Sequence, residues 1–204
     1  MKYLGWLHEL DDDSLAQVRR DSDDLEGKNY LLTAGVPLAS LFSSTVTYQL
    51  SDEHGIKLAD SIPNLLGVCF VSETLKTVLA RETGNAIEYL PVQLRDPKGR
   101  TVSSRYYIAN VLGTVDCLDL GQSQVKMSNI IKTSILKFDK LVLDESKIPP
   151  EQKIFRLGGK TDFLIVREDL VQALREAGCT GCRFELMERF STDRKLLRRP
   201  ELMG

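Results

Sequence analysis

Two stretches of the chain carry the same order of apolar and polar positions. Residues 69–79 read as a strand running into a helix, and residues 164–174 read the same way ninety-five positions later. The register holds without a gap. Val71, Glu73, Leu75 and Leu79 fall opposite Val166, Glu168, Leu170 and Leu174, and the match continues to Tyr89 opposite Phe184. Each copy places apolar residues at i, i+3 and i+4 (Leu75, Val78, Leu79; Leu170, Ala173, Leu174), which makes one buried helix face. Each opens its helix with an acidic residue, favourable at the positive end of the helix dipole, and closes it near a glycine, Gly84 or Gly178. A strand then follows in both, over 87–94 and 183–187. The pattern predicts a pseudo-duplicated strand-helix-strand unit; two copies are too few for a solenoid.

Between and before the copies the period is mostly two. Val46, Tyr48 and Leu50 alternate with Thr47 and Gln49, and Ser51 to Gly55 offers a turn into Ile56-Lys57-Leu58, so a hairpin is expected there. Asp96-Pro97-Lys98-Gly99 has proline and glycine at the turn positions that fold 87–94 back on 102–112. A further strand is expected over 136–143, and Gly158-Gly159 should join 154–157 to 163–166 as a hairpin. A short helix is expected over 14–20. The tail, 189–204, is basic and has no periodic face, the pattern of a loosely held end. Together these elements give an α+β chain with a largely antiparallel or mixed sheet and few helices. The expected organisation is an acidic N-terminal segment and hairpin lobe, 1–58, continuous with an α+β domain, 59–204, in one compact unit.

Composition narrows the function classes. With 27 Lys and Arg against 29 Asp and Glu the balance is near neutral, which argues against a phosphate-tracking surface and so against nucleic acid as the partner. The N-terminal apolar run through Leu7 is too short for a signal-peptide core, and no apolar stretch is long enough to span a bilayer. Four cysteines (Cys69, Cys117, Cys179, Cys182) are too few for a disulfide framework. The expectation is a cytoplasmic protein with no membrane partner.

Catalytic constellations are scarce. With only His8 and His54, a histidine triad or multi-histidine metal site has little to draw on. Gly159-Lys160-Thr161 has the ending of a phosphate-binding loop, but Ile154 occupies the place of its first glycine and a strand follows. Cys179-Thr180-Gly181-Cys182 has the spacing of a redox pair or half a zinc site. It follows the end of a helix, however, where the dipole disfavours a thiolate, so a structural turn is the favoured reading. Asp116 and Asp119 suit a polar turn better than an acid/base pair. No catalytic residue, metal or cofactor is assigned. The best candidate surface is the acidic N-terminal segment, with Asp11, Asp12, Asp13, Asp21, Asp23, Asp24 and Glu26, whose charge would steer and dock a basic partner.

Taken in order, several short runs resemble a known family: 57–64 followed by Val71-Ser72-Glu73, then Glu88-Tyr89-Leu90-Pro91-Val92, 106–112, 115–119, 154–157 and 177–185. Together they are similar to the myxobacterial-type immunity-domain family of bacterial polymorphic toxin (type VI secretion) systems, over about residues 30–190. The resemblance implies a non-enzymatic inhibitor that binds a cognate toxin domain, with a nuclease favoured as the toxin. It leaves the first 28 residues, and with them the acidic segment, outside the match. Two other readings stay open: a zinc- or thiol-dependent enzyme using Cys179 and Cys182, and an adaptor or chaperone that loads an effector. Stoichiometry and self-association are not legible in the sequence.

Overall fold

The computed structural model describes residues 2–42 and 45–187, so the expectation made for the basic tail lies outside the described residues. The predicted α+β class holds: among the described residues there are two five-stranded mixed sheets, a two-stranded hairpin, two α-helices and five short 3-10 helices.

The duplicated pattern is real in three dimensions. In the first copy, β4 (Phe70–Ser72) leads into α1 (Glu73–Thr83) and then β5 (Ile87–Arg95); in the second, β11 (Lys160–Arg167) leads into α2 (Glu168–Glu176) and β12 (Cys182–Leu186). Neither pair of strands is adjacent. An antiparallel strand lies between them, β6 (Thr101–Val111) in the first copy and β1 (Tyr3–His8) in the second. The register agrees on both sides of that central strand. Val71 faces Tyr107 and Pro91 faces the same Tyr107, just as Val166 and Leu186 both face Leu4. Likewise Tyr89 faces Ala109 where Phe184 faces Trp6. A flanking antiparallel strand completes each copy, β3 (Ser61–Ile62) beside β4 and β10 (Ile154–Leu157) beside β11.

The two sheets share one core. Val71, Ala109 and Val111 from the first sheet meet Leu4, Trp6, Leu164 and Val166 from the second, with Leu75, Leu79, Leu170 and Leu174 of the mutually packed helices among them. Alternate residues turn outward to two further cores. Phe70, Leu90, Leu94 and Ile108 are covered by Leu25, Leu32 and Leu38 of the N-terminal segment, while Phe163, Ile165 and Phe155 are covered by Ile135, Phe138 and Leu141. Both faces of each sheet are therefore buried where β4 and β11 run, which is why 69–71 and 163–166 are uninterrupted apolar runs. The chain passes from one sheet to the other at Gly113, after which β7 (Thr114–Val115) pairs in parallel with β10.

Both Gly-containing turns form the expected hairpins: Asp96 accepts from the amides of Lys98 and Arg100 in the β5–β6 turn, and Gly158-Gly159 joins β10 to β11. Three expectations are corrected. Residues 14–20 are not a helix but an extended strap, in which Leu15 bridges Lys57 and Val18 bridges both Leu50 and Asn64. Leu15, Ala16, Gln17 and Val18 are all buried, and no single helix face would bury four consecutive residues. The expected hairpin of 46–50 with 56–58 is absent, because β2 (Val46–Gln49) pairs in parallel with β5 and the strap takes the partners on the far side of the turn. The strand expected over 136–143 is Ile135–Lys140 (β9), paired with β8 (Gln124–Met127), for which the sequence pattern gave no signal.

Candidate functional site

The acidic residues of the N-terminal segment divide by what holds them. Asp12 is turned back on its own backbone, accepting from the Ser14 amide at 3.0 Å and the Ser14 hydroxyl at 2.6 Å, and these hydrogen bonds hold its carboxyl below the ordinary range. Asp24 accepts the Thr47 amide at 2.7 Å, so it satisfies a backbone donor of β2, the outermost strand of its sheet. Asp11 is paired with Arg183 of β12 at 3.0 Å, and Asp23 with Arg20 at 3.1 Å. Asp13, Asp21 and Glu26 are exposed and form no ion pair among the described residues.

Nor do the seven converge on one point. Asp21, Asp23 and Asp24 line a cleft of about 450 Å³ together with Thr47, Gln49 and Arg95 at the ends of β2 and β5. Asp11 lines a different cleft, of about 480 Å³, walled by Trp6, Leu10, Leu65 and Phe163. The first cleft is polar and open to charge steering; the second is apolar, with the Asp11–Arg183 pair on its wall.

The cysteine pair has a structural task. After α2 the chain turns through Cys179 to Cys182 and grips the first sheet. Thr180 donates through its amide and hydroxyl to Asp60 at 3.0 and 2.8 Å, Ser72 donates to the same carboxylate at 2.6 Å, and the Ser61 amide donates to the Thr180 carbonyl. Burial alone would raise the Asp60 carboxyl, but the Ser72 and Thr180 hydrogen bonds outweigh it and hold the group ionised below its usual range. Gly181 has φ +75°, and any Cβ there would strike the Ser61 carbonyl, so glycine is required. Burial raises both the Cys179 and Cys182 thiols, the opposite of what a nucleophilic thiolate needs. Cys69, fully buried, is pushed up to about 12 by the same cause. Among the described residues no three His, Cys, Asp or Glu side chains are grouped so as to hold a metal ion.

Asp119 binds the amides of Gly121 and Gln122, as a turn-capping side chain should. Among the described residues no helix is long and apolar enough to cross a membrane.

Sequence reasoning expected β9 but passed over its partner β8 and the tip between them. The tip's sequence signal is Asn129-Ile130-Ile131-Lys132, two isoleucines set among polar residues, which matches neither strand nor helix period.

No curated protein matches the chain. The model of the Immunity protein family (Imm11) does, over residues 14–189. That match starts earlier than the resemblance suggested: Asp21, Asp23, Asp24 and Glu26 fall inside it and Asp11, Asp12 and Asp13 outside. With most of its length matched, and with the expected α+β fold in place, this chain belongs to the Imm11 immunity protein family.

Proposed function

We propose that the protein neutralises a cognate antibacterial toxin, of the kind deployed by polymorphic and type VI secretion systems, by binding the toxin domain directly in the cytoplasm. It acts as a rigid scaffold that presents a complementary surface, and it performs no catalysis and uses no metal or cofactor. Family membership supports the binding role. The turn that Cys179 and Cys182 bracket clasps Thr180 onto Asp60, a structural task that accounts for the pair without thiol or zinc chemistry.

The toxin favoured is a nuclease. The observation that carries this step is the cleft where Asp21, Asp23 and Asp24 outnumber Arg20 and Arg95, an acidic excess that suits the Lys and Arg of a phosphate-binding groove. Asp12 and Asp24 hold backbone amides, so removing them would disturb the fold as well as the charge. The informative variant therefore changes Asp21 and Asp23 to Asn together. Against the toxin domain encoded beside this gene, association should slow about tenfold at low salt and converge with wild type at high salt. Unchanged kinetics at low salt would remove these carboxylates from the interface.

The broader test is co-expression with that toxin domain. Survival together with a stable purified complex is the expected result. A complex without survival would favour an effector-loading adaptor, and absence of both would reject the inhibitor reading.

A further inference from the structure

We propose that the β8–β9 hairpin is a docking finger that inserts Ile130 and Ile131 into an apolar pocket rimmed by acidic side chains on the toxin; this rests on the inhibitor reading above. Ile130 is 92% exposed and Ile131 60%, and Leu136 of β9 is 55% exposed. No other stretch among the described residues shows three large apolar side chains so exposed within seven positions.

The tip is held in shape. The Ser128 hydroxyl accepts from the Ile130 and Ile131 amides at 3.2 and 3.1 Å, the Ser134 amide donates to the Ile131 carbonyl, and the Ser128 amide donates to the Ser134 carbonyl. The Ile135 amide is bonded to the Gly159 carbonyl, which fixes the loop to the β10–β11 turn. Two isoleucines presented on a pre-ordered loop lose little freedom on binding, which is what an anchor requires.

The register explains the third. Lys126 faces Lys137 and Met127 faces Ile135, so Leu136 has no opposite residue; this bulge keeps Ile135 and Phe138 inward while turning Leu136 out.

Charge indicates what surrounds the pocket. Lys126, Lys132, Lys137 and Lys140 are all exposed, and Lys126 lies directly across from Lys137, a like-charge pairing that disfavours the free hairpin. The lysines that do form ion pairs among the described residues are Lys76, Lys147, Lys153 and Lys160, all outside this hairpin. An acidic partner surface relieves the repulsion at the moment the isoleucines are buried. The apolar surface is confined to the tip and one bulge, which suits a protein pocket better than a bilayer, where a broad apolar face is needed.

The test measures binding of the toxin domain encoded beside this gene to three full-length proteins: wild type, Ile130→Ser with Ile131→Ser, and Lys126→Gln with Lys137→Gln and Lys140→Gln. The substituted side chains are exposed, so thermal unfolding should match wild type. The isoleucine variant should bind about 30-fold or more weakly, mainly through faster dissociation. The lysine variant should associate about tenfold more slowly at low salt, with a flatter salt dependence. Wild-type affinity in both variants would overturn the finger and leave the inhibitor reading intact. A loss confined to the isoleucine variant would overturn the acidic rim, and one confined to the lysine variant would overturn the pocket. Wild type failing to bind would reject the inhibitor reading and the finger with it. Wild type sedimenting with phosphatidylserine vesicles, while both variants keep toxin affinity but lose the vesicles, would assign the hairpin to a lipid surface instead.

Discussion

Arg156 enters the interior without an ion pair among the described residues, the charge of Asp162 acting on it only through space. Its guanidinium instead donates to three carbonyls: Val111 at the end of β6, Thr161 on β11 and Leu32 in the N-terminal cover, at 2.8, 2.8 and 2.9 Å. Burial lowers its pKa, yet an arginine stays charged, so the residue ties both sheets and the cover to one cation. Gly35 is part of the same joint, with φ +74° and no room for a Cβ beside the Gly113 carbonyl. Arg156→Met should cost about 3 kcal/mol in urea unfolding, because the buried acceptors lose their donors. Arg156→Lys should recover only part of that, since a point ammonium cannot span three carbonyls. Asp169 supplies a pH-dependent contact. The Arg167 guanidinium hydrogen-bonded to it, helped by Lys153 and opposed by burial, holds its carboxyl at about 2 against an ordinary 3.8. A depressed carboxylate contributes stability that is complete above the unfolded value and is lost as pH falls through the folded one. The urea midpoints of wild type and Asp169→Asn should therefore converge as pH drops from about 5 to about 2. A constant gap would show that the ion pair carries no linkage.

At the scale of elements, α1 and α2 are equivalent in sequence and share a core, so their apolar faces act on one another. Leu75 and Leu170 are corresponding residues, each fully buried in the same cluster. Leu75→Ala or Leu170→Ala should each cost about 2–5 kcal/mol. The double variant should depart from the sum by about 0.5 kcal/mol or more, because both changes open the same interior. Strict additivity would mean the two helices pack independently. These helices were legible because periodicity, acidic first turns and terminal glycines all agreed locally, and the repeat added a second reading of the same pattern. Strand β1 was not legible. Leu4 and Trp6 face one core and Tyr3 another, so its run of apolar residues shows no alternation, and its partners β11 and β12 lie far along the chain. The 14–20 strap and β2 misled for a related reason: local pattern favoured a helix and a hairpin, while tertiary pairing with Leu50, Lys57, Asn64 and β5 decided the outcome. On β9 and just past its end, two bulges leave Ile135, Phe138 and Leu141 inward at a spacing of three, neither the strand nor the helix period. The candidate site divided likewise. Charge at Asp21, Asp23 and Asp24 was visible in sequence, but which carboxylates were spent on backbone amides was not.

For the molecule as a whole, the position of β1 bears on whether residues 1–58 form a lobe that can be removed. Strand β1 is the middle strand between β11 and β12, so without it the second copy loses the pairing on both sides. The cover that follows, with Leu25, Leu32 and Leu38, closes the outer face of the first sheet. Between the sheets lie the shared helix core, the Arg156 joint and the clasp of Thr180 on Asp60, so opening one sheet exposes buried surface on the other. The expectation is a single cooperative transition. Trp6, the only tryptophan, reports on the second sheet, while far-UV circular dichroism reports on the backbone of both. Their urea curves should coincide. A chain beginning at Ala59 should fail to fold, because β11 and β12 would be left with unpaired central edges and the first sheet with a bare apolar face. Two separated transitions, or a folded truncated chain, would instead establish that the N-terminal segment is dispensable. In that case its carboxylates could be exchanged between relatives without touching the scaffold that presents the β8–β9 hairpin.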